Sequence, residues 1–213
     1  MLIRLFPDNL DVLIILIPVL VFALSFHEFS HALVAYFLGD DTAEKQGRLT
    51  LNPFAHLDLM GSLMILFVGF GWAKPVPVNP LNLRDKSTGM MKVAFAGPAS
   101  NLLLALICGI IIRIINYYQF SINESIGSAL YLFLFINIAL AIFNLLPIAP
   151  LDGSQIFGSI LSRKNPQLAW KLQVNGPKVL LGVILFSIIT GISILGKIMG
   201  PFIDFFMYVF AGI

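Results

Sequence analysis

Apolar residues run along this chain in long unbroken blocks, without the alternation of a half-buried strand or the one-sided stripe of a soluble helix. Blocks at 12–38, 93–117, 129–148 and 179–195 approach or exceed the roughly 20 residues that a helix needs to cross a hydrocarbon layer, and predict four spans. Two shorter blocks lie at 59–72 and 201–213. The first holds Gly61, Gly69 and Gly71 and is expected to dip into the layer and return; the second is short enough either to span or to re-enter. The polar stretches 39–52, 75–91 and 153–178 are read as short loops. No repeat period or long hydrophilic tract interrupts the pattern, so one membrane-embedded domain over 1–213 is expected. The fold class is an all-α multi-pass membrane protein of about four to six transmembrane helices, with a re-entrant Gly-rich segment after the first.

Composition agrees: 58% of the 213 residues are hydrophobic and 11% charged, with a mean hydropathy of +0.93. A lipid bilayer is therefore the expected surroundings. A net charge of +2, with no like-charge run, gives no basis for a nucleic-acid partner. Cys108 is the single cysteine and forms no internal disulfide, so it reads as a buried thiol. The block after Arg4 is too long for a signal-peptide core and is expected to be retained.

The placement of the cations selects a threading, because loops rich in Lys and Arg stay in the cytoplasm. With a re-entrant 59–72, Lys45, Arg48, Lys74, Arg84, Lys86, Lys92, Arg163, Lys164, Lys171 and Lys178 share one face, and Arg4, Arg113 and Lys197 are left for the other. A crossing segment would separate Lys45 and Arg48 from the basic loops that follow. The re-entrant threading is preferred; it puts the amino end outside and makes this a multi-pass protein of the cell membrane.

Against this apolar background, residues 25–31 stand out: two imidazoles and a carboxylate lie inside the first span. Ionisable groups at bilayer depth are rare and mark functional or paired interior sites. His27 and His31, four apart, project from one helix face. Their HExxH spacing is that of two metal-binding imidazoles flanking a glutamate, Glu28, that activates water without binding the metal. A chance pattern, or two hydrogen-bonded interior histidines, is the competing reading.

A catalytic zinc takes a third protein ligand and leaves a position open. Asp152 is the best candidate, because Pro147 and Pro150 break the helix ahead of it and let the chain turn toward a cavity. A turn aspartate before Gly153 explains its position equally well. The threading separates the two readings: with a re-entrant 59–72, the His helix and the third span both end on the cytoplasmic face, where Asp152 emerges. His56 is a further candidate near the site, for an oxyanion or for substrate; an interfacial histidine with a structural hydrogen bond is the alternative.

At these residues the chain resembles the site-2 protease family of intramembrane zinc metalloproteases over nearly its whole length. The resemblance rests on HEFSH at 27–31, GRLTLNPFAHLD at 47–58, GFGWAKPVPVN at 69–79 and NLLPIAPLDG at 144–153, with weaker support from AGPASN at 96–101. It implies about one Zn2+ per chain, held by His27, His31 and Asp152, with Glu28 as base. It also implies that Asn144 contacts substrate or steadies the oxyanion, although an interhelical hydrogen bond would serve that residue as well. Substrates would be transmembrane proteins, cleaved at a site facing the cytoplasm after local unwinding, and 69–78 could offer an extended edge to the unwound strand. The chain shows no inserted PDZ or cystathionine-synthase-type module, so regulation by soluble domains is not expected. A metal transporter or channel is the alternative from another class, since His and Asp clusters also line ion pathways.

Overall fold

The computed structural model describes residues 10–68 and 71–213, which leaves Arg4, Gly69 and Phe70 outside the described residues. The first apolar block forms α1 (Leu10–Phe37). Its serines cost nothing in a nonpolar setting, because the Ser25 and Ser30 hydroxyls each donate to the carbonyl four residues back, Val21 and Phe26, at 2.7 Å. Two single turns follow, α2 (Thr42–Lys45) and α3 (Pro53–His56); Asn52 caps the second by accepting from the Phe54 amide.

The junction after α1 is built on Asp40. This fully buried carboxylate accepts from the hydroxyl and the amide of Thr42, from the Asn79 amide and from the Asn82 side chain. Burial alone would raise its pKa, but these donors outweigh burial and hold it below the ordinary carboxylate range.

Helix α4 (Leu59–Val68) has 10 residues, a length of about 15 Å that covers only half of a hydrocarbon layer. The chain then comes back beside its starting point: Leu57 pairs with Ala73, and the Lys74 amide donates to the His56 carbonyl at 2.7 Å. The return needs glycine. A Cβ on Gly61 would lie 2.0 Å from the Trp72 carbonyl oxygen, and one on Gly71 2.0 Å from that of Gly61. The expected re-entrant segment is therefore a hairpin closed at its mouth.

Two long helices follow, α5 (Gly89–Tyr117) and α6 (Glu124–Asn144), then α7 (Asp152–Lys164), α8 (Pro166–Thr190) and α9 (Ile194–Ala211). Among the described residues, five helices are long and apolar enough to cross a membrane: α1, α5, α6, α8 and α9. Helices α5, α6 and α9 share a core of Ala105, Cys108, Leu134, Ile138, Ile142, Met199, Met207 and Ala211. Helix α1 also packs against α5 and α6.

Several expected boundaries move. The stretch 153–178, read as a loop, is helical apart from Asn165, since polarity does not prevent a helix that Asn165 caps and Pro166 opens. The third span ends at Asn144, four residues early, because the prolines at 147 and 150 cannot continue it. The fourth ends at Thr190, and 201–213 falls largely in α9, an 18-residue helix that begins at Ile194.

Hydrogen bonds place the last two helices. Arg163, at the end of α7, donates to Ser87 beside the start of α5, whereas Arg113, near the far end of α5, donates to the carbonyls of Tyr208, Val209 and Phe210. Helix α8 thus begins at one end of α5 and α9 finishes at the other. Together they carry the chain across once.

This threading puts Glu44 and Lys86 on one face and Ile122 on the other. In a Cys108→Ser background, a membrane-impermeant maleimide should label Glu44→Cys and Lys86→Cys from the same side, and Ile122→Cys from the opposite side. Labelling of the first two from opposite sides would mean that 59–72 crosses.

Candidate metal centre

His27 and His31 occupy successive turns of one face of α1, and both are buried. Their rings stand nearly edge to face, with centroids 4.6 Å apart. Asp152 reaches them as the first residue of α7, just after the 145–151 break, so the turn that ends α6 also delivers the carboxylate. Its Oδ2 lies 3.0 Å from His27 Nε2 and 3.4 Å from His31 Nε2. One donor atom from each of the three falls within 4.8 Å of the others. Ligands about 2.0–2.2 Å from a tetrahedral zinc sit about 3.3 Å from one another, which the two separations from Asp152 match.

The surroundings fit a metal in two further ways. The other nitrogen of each ring is engaged: His31 Nδ1 with the Val93 carbonyl at 2.7 Å, and His27 Nδ1 with Asn101 Oδ1 at 2.6 Å. Such outer contacts orient metal-binding imidazoles. Space is also reserved, because Gly97 of α5 faces the two rings. A Cβ there would lie 2.4 Å from His27 Nε2 and 2.5 Å from His31 Nε2, where an ion would sit.

Glu28 and Asn144 join this group on the wall of a cavity of about 680 Å³, together with His27, His31 and Asp152. Glu28 is half-buried. Asn144 is the last residue of α6, and its amide nitrogen donates to the Leu140 carbonyl at 3.0 Å. The returning limb of the hairpin forms another wall through Gly71, Trp72, Ala73 and Pro75.

His56 lies elsewhere. It is the buried last residue of α3 and is absent from the cavity wall; its Nε2 faces the Thr50 carbonyl at 2.7 Å, and its Nδ1 faces an Arg48 nitrogen at 3.4 Å. Arg48 is the link between this loop and the site. Its guanidinium donates to the carbonyls of Lys74 and Pro75 at 2.6 and 3.2 Å, which fixes the limb that borders the cavity. Burial lowers its pKa, while the charge of Glu28 pulls the other way.

Gly97, Asn101 and Arg48 are not singled out by spacing rules. A glycine at close approach and a cation bound to carbonyls have no motif of their own. Asn137, fully buried and bonded to Asn101, did leave a signal: a lone amide in the middle of an apolar span.

Comparison with known proteins bears on the same residues. The model for Peptidase family M50 matches residues 109–187, which include Asn144 and Asp152. "Putative zinc metalloprotease YwhC" of Bacillus subtilis (strain 168) is 43% identical over 150 residues, 68% of this chain and 68% of its own length. "Putative zinc metalloprotease Rip2" of Mycolicibacterium smegmatis is 32% identical over 164 residues, 73% of this chain and 60% of its own. "Zinc metalloprotease MJ0392" of Methanocaldococcus jannaschii is 32% identical over 119 residues, 54% of this chain and 34% of its own. No solved structure matches significantly.

Filling the space at Gly97 should empty the centre. Gly97→Ala is expected to cut the zinc content of the purified protein from about one per chain to under about a tenth of that, with helicity by circular dichroism unchanged. Full zinc occupancy in this variant would place the ion away from Gly97.

Proposed function

Since the chain belongs to peptidase family M50, the site-2 proteases, and is a zinc-dependent metalloprotease with membrane-crossing helices, we propose that it is an intramembrane endopeptidase. It hydrolyses peptide bonds in or near the transmembrane segments of other membrane proteins, as in regulated intramembrane proteolysis, and works as one membrane-embedded unit. One observation carries this reading: Glu28 and the three ligand candidates meet on a cavity whose other walls include Leu24, Leu140, Phe143, Leu180 and Ile184. Such walls suit an apolar segment arriving from lipid better than a soluble peptide.

In this reading His27, His31 and Asp152 hold the zinc. When bound, the metal acidifies a water and polarises a peptide carbonyl. Glu28 takes the proton of the attacking water and passes it to the leaving amine. Asn144, on the same cavity wall as Asp152, orients the scissile carbonyl with the amide hydrogen that Leu140 does not take. His56 acts at one remove: it buttresses Arg48, which holds the 73–75 backbone against the cavity, and the limb from Trp72 to Val78 offers an edge to an unwound substrate. A helical substrate must unwind first, because its carbonyls are tied up in internal hydrogen bonds. The bias of Lys and Arg toward the loops on this side supports a site toward the cytoplasmic face of the cell membrane, from which water would enter.

A metal transporter would need the ligands but not the base, and Glu28 separates the two activities. In proteoliposomes carrying a transmembrane test substrate, Glu28→Gln should keep about one zinc per chain and lose cleavage by about 10²–10⁴-fold. Undiminished cleavage would remove Glu28 from the chemistry.

A further inference from the structure

We infer that Asn101 and Asn137 are positioning residues that fix the tautomer and the direction of the His27 ring through a buried relay across three helices. The inference rests on the zinc reading of His27, since it concerns which nitrogen that ring offers to the metal.

The polarity of the relay follows from its two ends, which are backbone carbonyls. At one end Asn137 of α6 donates from Nδ2 to the Phe133 carbonyl at 2.8 Å. A carbonyl oxygen only accepts, so the Asn137 amide is fixed with Oδ1 turned toward α5. At the other end Asn101 Nδ2 donates to the Ala23 carbonyl of α1 at 3.2 Å and, with its second hydrogen, to Asn137 Oδ1 at 2.9 Å. Both hydrogens are therefore used, and Asn101 must present Oδ1 to His27 Nδ1, 2.6 Å away. An amide oxygen has no proton to give. His27 Nδ1 carries the hydrogen, and Nε2 keeps its lone pair on the side of Asp152 and the ion.

Burial gives this order its force. Asn101 and Asn137 are fully buried, and no bulk solvent is at hand to accept a misplaced proton. Reversing any one member would set two donors or two acceptors against each other in an apolar interior, which makes a partly satisfied network unfavourable. Removing the acceptor at residue 101 leaves Nδ1–H without a partner. The ring can then recover a hydrogen bond by moving the proton to Nε2, toward Asp152, where it blocks the metal.

The test measures the zinc dissociation constant of detergent-purified protein by competition with a chromophoric chelator. Asn101→Leu, close to isosteric, should weaken zinc binding by about 10–100-fold. Asn101→Asp keeps an acceptor facing Nδ1 and should bring affinity most of the way back, although its buried charge, facing the Ala23 carbonyl and Asn137 Oδ1 with no hydrogen to donate, lowers the thermal midpoint. A merely structural role predicts the reverse order, with the aspartate variant worse than the leucine variant in both measurements. Wild-type zinc affinity in Asn101→Leu overturns the inference. If that variant does not fold, Asn137→Leu decides: a weaker loss of affinity supports the relay, and an unchanged dissociation constant overturns it. Failure of wild-type protein to bind zinc at all would instead strike at the zinc reading itself.

Discussion

Polar groups inside a hydrocarbon layer must find their partners within the protein, and here that requirement ties the bundle together. Apolar packing gives helices little preference for one another over lipid tails, so contacts that lipid cannot supply decide which helices meet. His27 joins α1 to α5 through Asn101, and His31 does so through the Val93 carbonyl. Asn101 joins α5 to α6 through Asn137, and Asp152 brings α7 to α1. The same groups that form the candidate metal centre thus tie four helices together. A sequence that lost the centre would lose much of its reason to adopt this arrangement.

Irregular backbone is tolerated at such depth only where protein covers it or where it lines a cavity. Both irregular segments meet that condition by lining the same cavity. The 145–151 break turns Asp152 inward, with Pro150 and Leu151 on the wall; the hairpin limb contributes Gly71 to Ala73 and Pro75 from the other side. Arg48 satisfies two of the limb's exposed carbonyls, and His56 and Thr50 steady the Arg48 loop in turn. Loop polarity and site geometry are thereby coupled: the same basic residue that enters the charge bias of the loops also fixes the limb on the cavity wall.

Much of this was legible in the sequence, for physical reasons. Span existence follows from apolar length, the hairpin from a glycine-containing block too short to cross, and the HEFSH face from a spacing of four. Asp152 was legible only in combination, because spacing alone left it level with an ordinary turn aspartate until the threading placed it beside the histidines. Helices α7 and α8 were missed in part because hydropathy finds only apolar segments, whereas Asn165 and Pro166 start a helix by local hydrogen bonding. The station of His56, turned to Arg48 and not to the cavity, depends on a loop path that no residue pattern encodes.

The weak AGPASN motif acquires a physical meaning from the antiparallel contact of α1 with α5. Residues 23, 27 and 31 form one row along α1, and 93, 97 and 101 form one row along α5, each at intervals of four, the ridges by which helices interdigitate. The rows meet in reverse order: Val93 with His31, Gly97 with both imidazoles, and Asn101 with His27 and the Ala23 carbonyl. One helix supplies the candidate ligand nitrogens; the other supplies, at matching intervals, an acceptor, a clearance and an acceptor. Any larger residue at 97 would close the space where the ion is expected, and an apolar residue at 101 would strand the ring's proton. HEFSH and AGPASN are therefore two halves of one site, and a chain keeping the first without the second would hold its histidines in a helix with nothing to aim them.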